Sequence, residues 1–279
     1  MAPEGRPLPQ DTRPLPFTVD GRPYYTLSSY DPVRIEVYVP KVTDEDVSYA
    51  LDGMVRDLGG TAADLDDPQW LQAHFHGARD LGQLRSAVRS QVSASNNLAV
   101  RDQVISQTLA ALAARLVQRV PADAVERTRE QIRAQADARL RERGRSLDEH
   151  EGGSSPLSDL IDEEALAATE QAAALEALAT KRALEVADDE LPDLLGADPE
   201  SARRVVERAR EAGTLDDVRR LALRNKACRL AVSEASVEWH RESDREAAER
   251  VAQMRAARAA HAPQGGPANP AGAAGLRLV

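Results

Sequence analysis

Apolar residues recur at Leu81, Leu84, Val88 and Val92, and again at Leu98, Ile105, Leu109, Leu112 and Leu116. From Leu98 onward the steps alternate between four and three once Asp102 takes one slot, which is a helical seam and not strand alternation. The pattern predicts one helix over residues 81–120. A helix of about 40 residues is roughly 60 Å long, so such a rod must project. Pro121 stops it, because the ring clashes with the preceding turn and biases Val120 away from helical geometry. A second stripe follows, with Val125, Ile132, Ala136 and Leu140 on one side and dense Arg and Glu on the other. Two helices around a proline corner predict a hairpin arm, and an arm exposes surface.

Before this arm, residues 1–22 are rich in proline and repeat Arg-Pro-Leu-Pro at Arg6 and Arg13. They read as a disordered or polyproline II tail, with a partner-docking peptide as the sharper alternative. Ile35, Val37 and Val39 alternate with polar neighbours and predict a short strand. Thr43 with Asp46 has the spacing of a capping box. The helix it starts shows Val47, Ala50, Leu51, Met54, Val55 and Leu58 on one face, and Gly59-Gly60 closes it. Residues 61–80 read as a connection that Trp70 and Phe75 anchor.

After the arm, residues 144–158 read as a polar loop and residues 159–186 as a helix. Pro192 and Gly196 keep the next element short. Asp198-Pro199 opens a helix that closes at Gly213, and Thr214 with Asp217 predicts a second capping box. A stripe of Val218, Leu221, Ala222, Cys228, Val232 and Ala235 follows, then a charged helix over 238–260 and a tail disordered by composition. Four segments result: a tail (1–22), a strand with a linker helix (23–60), a helical body with arms (61–237), and a charged helix with its tail (238–279).

Composition sharpens this to a mainly α, elongated chain. Only 3% of its 279 residues are aromatic and 29% are charged, which suits long helices with narrow apolar stripes. The net charge of -10 excludes generic nucleic-acid binding, which needs a basic face. One cysteine, Cys228, excludes an internal disulfide, and its apolar stripe points to an inert thiol. No run reaches the length of a membrane span, and the first residues lack a signal-peptide core, so the cytoplasm is expected. His74 and His76 form a His-x-His pair without supporting ligands, so no metal is expected. Neither a phosphate-binding glycine loop nor a catalytic triad is visible, so no cofactor and no enzyme activity are expected.

Several short stretches, in order, resemble the trigger factor family of ribosome-associated chaperones. VYVPKVTDEDVSYALDGMVRDLG at Val37 resembles the linker after that family's ribosome-binding domain. Asp66-Asp67-Pro68-Gln69-Trp70-Leu71 and Asp80-Leu81-Gly82-Gln83-Leu84-Arg85 resemble the return into its helical body. Val120-Pro121-Ala122-Asp123-Ala124-Val125 is similar to the family's Val-Pro-x-x-Leu-Val corner, with Ala124 for leucine. Val186-Ala187-Asp188-Asp189-Glu190-Leu191 and KACRLAVSEASV at Lys226 resemble later segments. The departures are as informative. The docking signature Gly-Phe-Arg-Lys-Gly-Lys is absent, few residues precede the linker strand, and Gly59-Gly60-Thr61 runs across the place of the FKBP-like prolyl isomerase domain.

The resemblance implies a trigger-factor C-terminal, SurA-like helical body with hairpin arms and a short N-terminal β segment. It further implies an ATP-independent holdase that shields unfolded or partly folded polypeptides, without ribosome docking or isomerase activity. Client-facing candidates on the arm are Leu109, Leu112, Leu116, Val125, Ile132 and Leu140, each of which also suits the core between the arm helices. The competing reading is a scaffold or dedicated assembly factor, whose stripes are consumed by a homodimer or one fixed partner.

Overall fold

The structure, a computed structural model, describes residues 11–19, 21–75, 77–142, 144, 156–196 and 198–260, without the side chains of Pro156 and Leu157. The first Arg-Pro-Leu-Pro unit, His76, His150, His261, residues 145–155 of the expected loop and the C-terminal tail lie outside the described residues. The chain is mainly α. Its strands are β1 (Phe17–Val19), β2 (Arg22–Tyr24), β3 (Arg34–Val39) and β4 (Ser236–Arg241). Its helices are α1 (Asp44–Asp57), α2 (Pro68–His74), α3 (Leu81–Ala113), α4 (Ala122–Arg141), α5 (Pro156–Lys181), α6 (Leu191–Leu194), α7 (Pro199–Glu211), α8 (Leu215–Glu234) and α9 (Asp244–Ala260), with a 3-10 turn at Ala62–Asp66. Two compact units emerge, residues 1–35 with 104–237, and residues 36–103 with 238–279. The segments expected as a linker helix and a C-terminal helix thus share the second unit.

That second unit is built on α1. Its capping box forms as predicted: Asp46 N donates to Thr43 Oγ1 at 3.2 Å, and Thr43 N donates to Asp46 Oδ2 at 2.8 Å. Val47, Leu51 and Val55 then face a core with Leu65, Leu71, Phe75, Leu84 and Val88. Trp70 and Phe75 do anchor the 61–80 segment, meeting edge to face at 5.9 Å. That segment is more ordered than a connection. Asp67 caps α2 by accepting from Gln69 N at 2.8 Å, with Pro68 in the first turn.

The C-terminal part of this unit departs from the expected continuous helix. Residues 236–241 form β4, which pairs with β3. Ser236 N donates to Val33 O at 2.8 Å and Glu242 N to Val39 O at 3.1 Å, so the strands run parallel. The alternation Ser-Val-Glu-Trp-His-Arg suits a strand, and β3 supplies the ladder. The helix proper, α9, starts only at Asp244, behind a Ser243 box. Ser243 N donates to Glu246 Oε2 at 2.8 Å, and hydrogen bonds from Ser243 hold the Glu246 carboxyl down to about 2.

In the first unit α5 is central. Its Ala-rich second half, Ala173, Ala174, Leu175, Ala177, Leu178 and Ala179, is buried, because small side chains let α8 approach closely. A satellite core joins Leu191, Leu194, Val206 and Ala222 from α6, α7 and α8. Lys226 closes the loop before α6, reaching Glu190 at 2.9 Å and Glu185 O at 2.8 Å. Asp198 caps α7 as expected, accepting from Ser201 N at 2.8 Å. Thr214 does not form the second capping box. With ψ near 20° it lacks the extended geometry in which a side chain reaches back to the first turn.

The proline-corner hairpin is also corrected. α3 ends at Ala113, well before Pro121. Residues 115–119 instead hydrogen-bond to extended segments: Ser28 N to Arg115 O at 2.8 Å, Val117 N to Thr26 O at 3.0 Å and Arg119 N to Pro14 O at 2.9 Å. Partners distant in the sequence replace the helical ladder, which is why the apolar period outlasts the helix. The helix that packs along α4 is α5, not α3.

Candidate client-binding surface

α4 contributes no fully buried residue. Val125, Ile132 and Leu140 stay half-buried on α4, which packs along α5. On α5, Ile161 and Ala165 are buried, whereas Leu160 is 60% exposed and Leu166 is also open. Polar links fix the pair of helices. Thr169 Oγ1 donates to Thr128 Oγ1 at 3.0 Å, and Arg129 Nε meets Asp162 Oδ1 at 2.8 Å. Polar groups thus set the register of α4 on α5, and the flanking aliphatic residues remain accessible.

The other candidates separate by burial. Leu109 is half-buried on α3. Leu112 and Leu116 are only 3% and 5% exposed, and Leu116 bridges to Leu27, so both are core residues and cannot face a client. Leu112 sits in the packed last turn of α3, and Leu116 lies beyond the end of that helix.

The sequence reading missed a second apolar feature on the same unit. β1 and β2 form an antiparallel hairpin with Phe17 opposite Tyr24, whose rings stack at 5.1 Å. Its turn places Gly21 at φ +76°, which the Asp20-Gly21 pair signalled. Leu15, Phe17 and Val19 alternate along one side and are 55%, 59% and 45% exposed, and Val117 is exposed too. Exposed aliphatic and aromatic side chains concentrated in this way mark interaction surfaces.

No group of three or more His, Cys, Asp or Glu among the described residues could hold a metal ion. The His74 ring stacks on Trp70 at 4.3 Å with Nδ1 2.9 Å from Trp70 O. Burial raises the Cys228 thiol pKa, opposed by Arg229, which makes the thiolate scarce. Burial likewise raises the Glu176 carboxyl on α5, with Arg224, Arg220 and Arg22 opposing it. No helix of the described residues is long and apolar enough to cross a membrane.

A solved structure of the trigger factor chaperone, described by its promiscuous substrate recognition in folding and assembly activities, is similar over 60% of this chain, with 18% identity and a TM-score of 0.30. This chain spans 42% of that one. No curated protein matches the sequence. The family model of the bacterial trigger factor C-terminus matches residues 80–233, more than half of the chain. That match takes in α3 to α8, the helices that carry the α4–α5 pair and the satellite core, and by it the chain belongs to the trigger factor C-terminal family.

Proposed function

We propose that this protein is an ATP-independent holdase of the cytoplasm. It shields unfolded or partly folded polypeptides against the open α4–α5 face and the β1–β2 hairpin. The observation that carries the reading is that α4, twenty residues long, buries no side chain completely, in a chain of a chaperone family. Aliphatic groups left half in water gain free energy when another chain covers them, at about 25 cal/mol per Å². Such contacts are individually weak and indifferent to sequence, which suits many clients and requires no nucleotide. Ribosome docking and prolyl isomerisation are no part of this proposal.

Light scattering of a chemically denatured enzyme diluted into buffer tests this. Near-stoichiometric protein is expected to suppress aggregation equally with and without ATP. Absence of suppression across several clients, together with a stable self-associated species, would support the scaffold instead.

A further inference from the structure

A cleft of about 670 Å³ opens in the first unit between the 29–32 turn, the end of α3 and the first residues of β3 and β4. It is lined by Ser29, Asp31, Pro32, Arg34, Arg115 and Ser236, with Ala111 at its back. Clefts of roughly 300–1,000 Å³ hold ligands the size of a short peptide segment or a drug. Its chemistry is set by two guanidinium groups. Arg115 is locked: Nη1 donates to Asp31 O and to Ser29 O at 3.4 Å, and Nη2 reaches Pro32 O at 3.5 Å. These acceptors are neutral carbonyls, so the positive charge is oriented without being neutralised. Arg34, which also lines the cleft, makes no side-chain hydrogen bond or ion pair among the described residues.

One carboxylate also lines the cleft. Asp31 Oδ2 accepts from Ser29 Oγ at 2.8 Å, and Asp31 N donates to the same hydroxyl at 3.1 Å. Two cations against one anion leave an excess of one positive charge in a molecule whose net charge is -10. We propose that this cleft binds the carboxylate of an acidic polypeptide segment, held by the forks of Arg34 and Arg115. A single excess charge matches a monoanion better than a phosphate. The main-chain groups at the rim are carbonyls already engaged with Arg115, whereas phosphate sites present backbone N–H groups. Planar guanidinium suits a bidentate carboxylate. The cleft gives a strongly acidic protein one place where an acidic client segment is attracted instead of repelled. The inference rests on the reading that the chain handles polypeptides.

Fluorescence anisotropy with a labelled Glu-containing peptide, and the same peptide with Gln for each Glu, tests it on the full chain. The Glu peptide is expected to bind about tenfold more tightly, the value of one charge-assisted hydrogen bond. The difference shrinks as ionic strength rises from about 0.05 to about 0.5 M. Arg34→Gln abolishes the preference, and Arg115→Lys, which keeps the charge but loses the fork, reduces it severalfold with the circular dichroism unchanged. Equal binding of both peptides, or an unaltered preference in Arg34→Gln, overturns the proposal. Arg34-dependent displacement by low-millimolar inorganic phosphate also overturns it, by making the cleft a phosphate site. Aggregation suppression is read on the same preparations. Its loss with the Glu preference intact would count against the holdase reading alone.

Discussion

Arg250 ties two buried carboxylates together in the second unit. Its Nη1 meets Asp46 Oδ1 at 2.7 Å and its Nε meets Glu242 Oε1 at 2.8 Å, while Lys41 N donates to Glu242 Oε2 at 2.7 Å. Burial opposes ionisation of both acids. Hydrogen bonds from Arg250 and Thr43 to Asp46, and from Arg250, Tyr38 and Lys41 to Glu242, outweigh it and hold both carboxyls below their usual range. Groups depressed in the folded state contribute stability that is fully present above the unfolded pKa values, about 3.9 and 4.3, and is lost as pH falls through the folded values. The share of stability that these two acids carry, read by chemical denaturation as the difference between the wild type and Arg250→Ala, is therefore expected to be constant above about pH 5 and to decline below about pH 4. Arg250→Ala strands both acids and should cost about 3–5 kcal/mol at neutral pH. A cost under about 0.5 kcal/mol, the range of a surface substitution, would show that the cluster is solvated.

Gly60 poses a different constraint at the same scale. A Cβ there would lie 2.5 Å from Trp70 Cζ2 and 3.1 Å from Val55 Cγ1. Gly60→Ala must displace the ring that seals the α1 core, at an expected cost of about 1–3 kcal/mol. An unchanged melting temperature would mean that Trp70 moves aside freely.

Among the elements, α5 and α3 make opposite predictions for similar leucine-sized residues. Leu112→Ala empties a sealed position and should cost about 2–5 kcal/mol, with client suppression by the remaining folded protein little altered. Leu160→Asp and Leu166→Asp alter open positions. They should leave stability within about 0.5–1 kcal/mol and still weaken suppression. The reverse outcome would place the client surface on α3. Local signals were legible where a few neighbours decide the structure: the Thr43 box, the Asp198-Pro199 start and the β3 alternation all formed. The Asp67-Pro68 start carries the same signature as Asp198-Pro199 and was read as connection. Failures arose where distant partners decide. Residues 115–119 keep a helical apolar period yet pair with Pro14 and Thr26, and β4 exists because β3 lies beside it. The open hairpin at Phe17 was masked by the prolines around it. The choice of α5 as the partner of α4 rests on contacts between residues far apart in the chain, such as Thr128 with Thr169 and Arg129 with Asp162, which no local signal announces.

For the whole molecule, the apolar groups left in water stand on helices within the stretch that matches the trigger factor C-terminal family and on a hairpin that precedes it, within a chain of net charge -10. High net charge keeps such a protein dispersed while it exposes aliphatic side chains, and in the function proposed above an unfolded client supplies the missing cover. Site-specific photo-crosslinking tests this most directly, with the crosslinker placed in turn at Phe17, Ile132, Leu160 and the exposed Arg245 of α9 while a denatured client is held. The account predicts client adducts at Phe17, Ile132 and Leu160 and few at Arg245. Equal adducts at all four positions, or none at the first three, would contradict it.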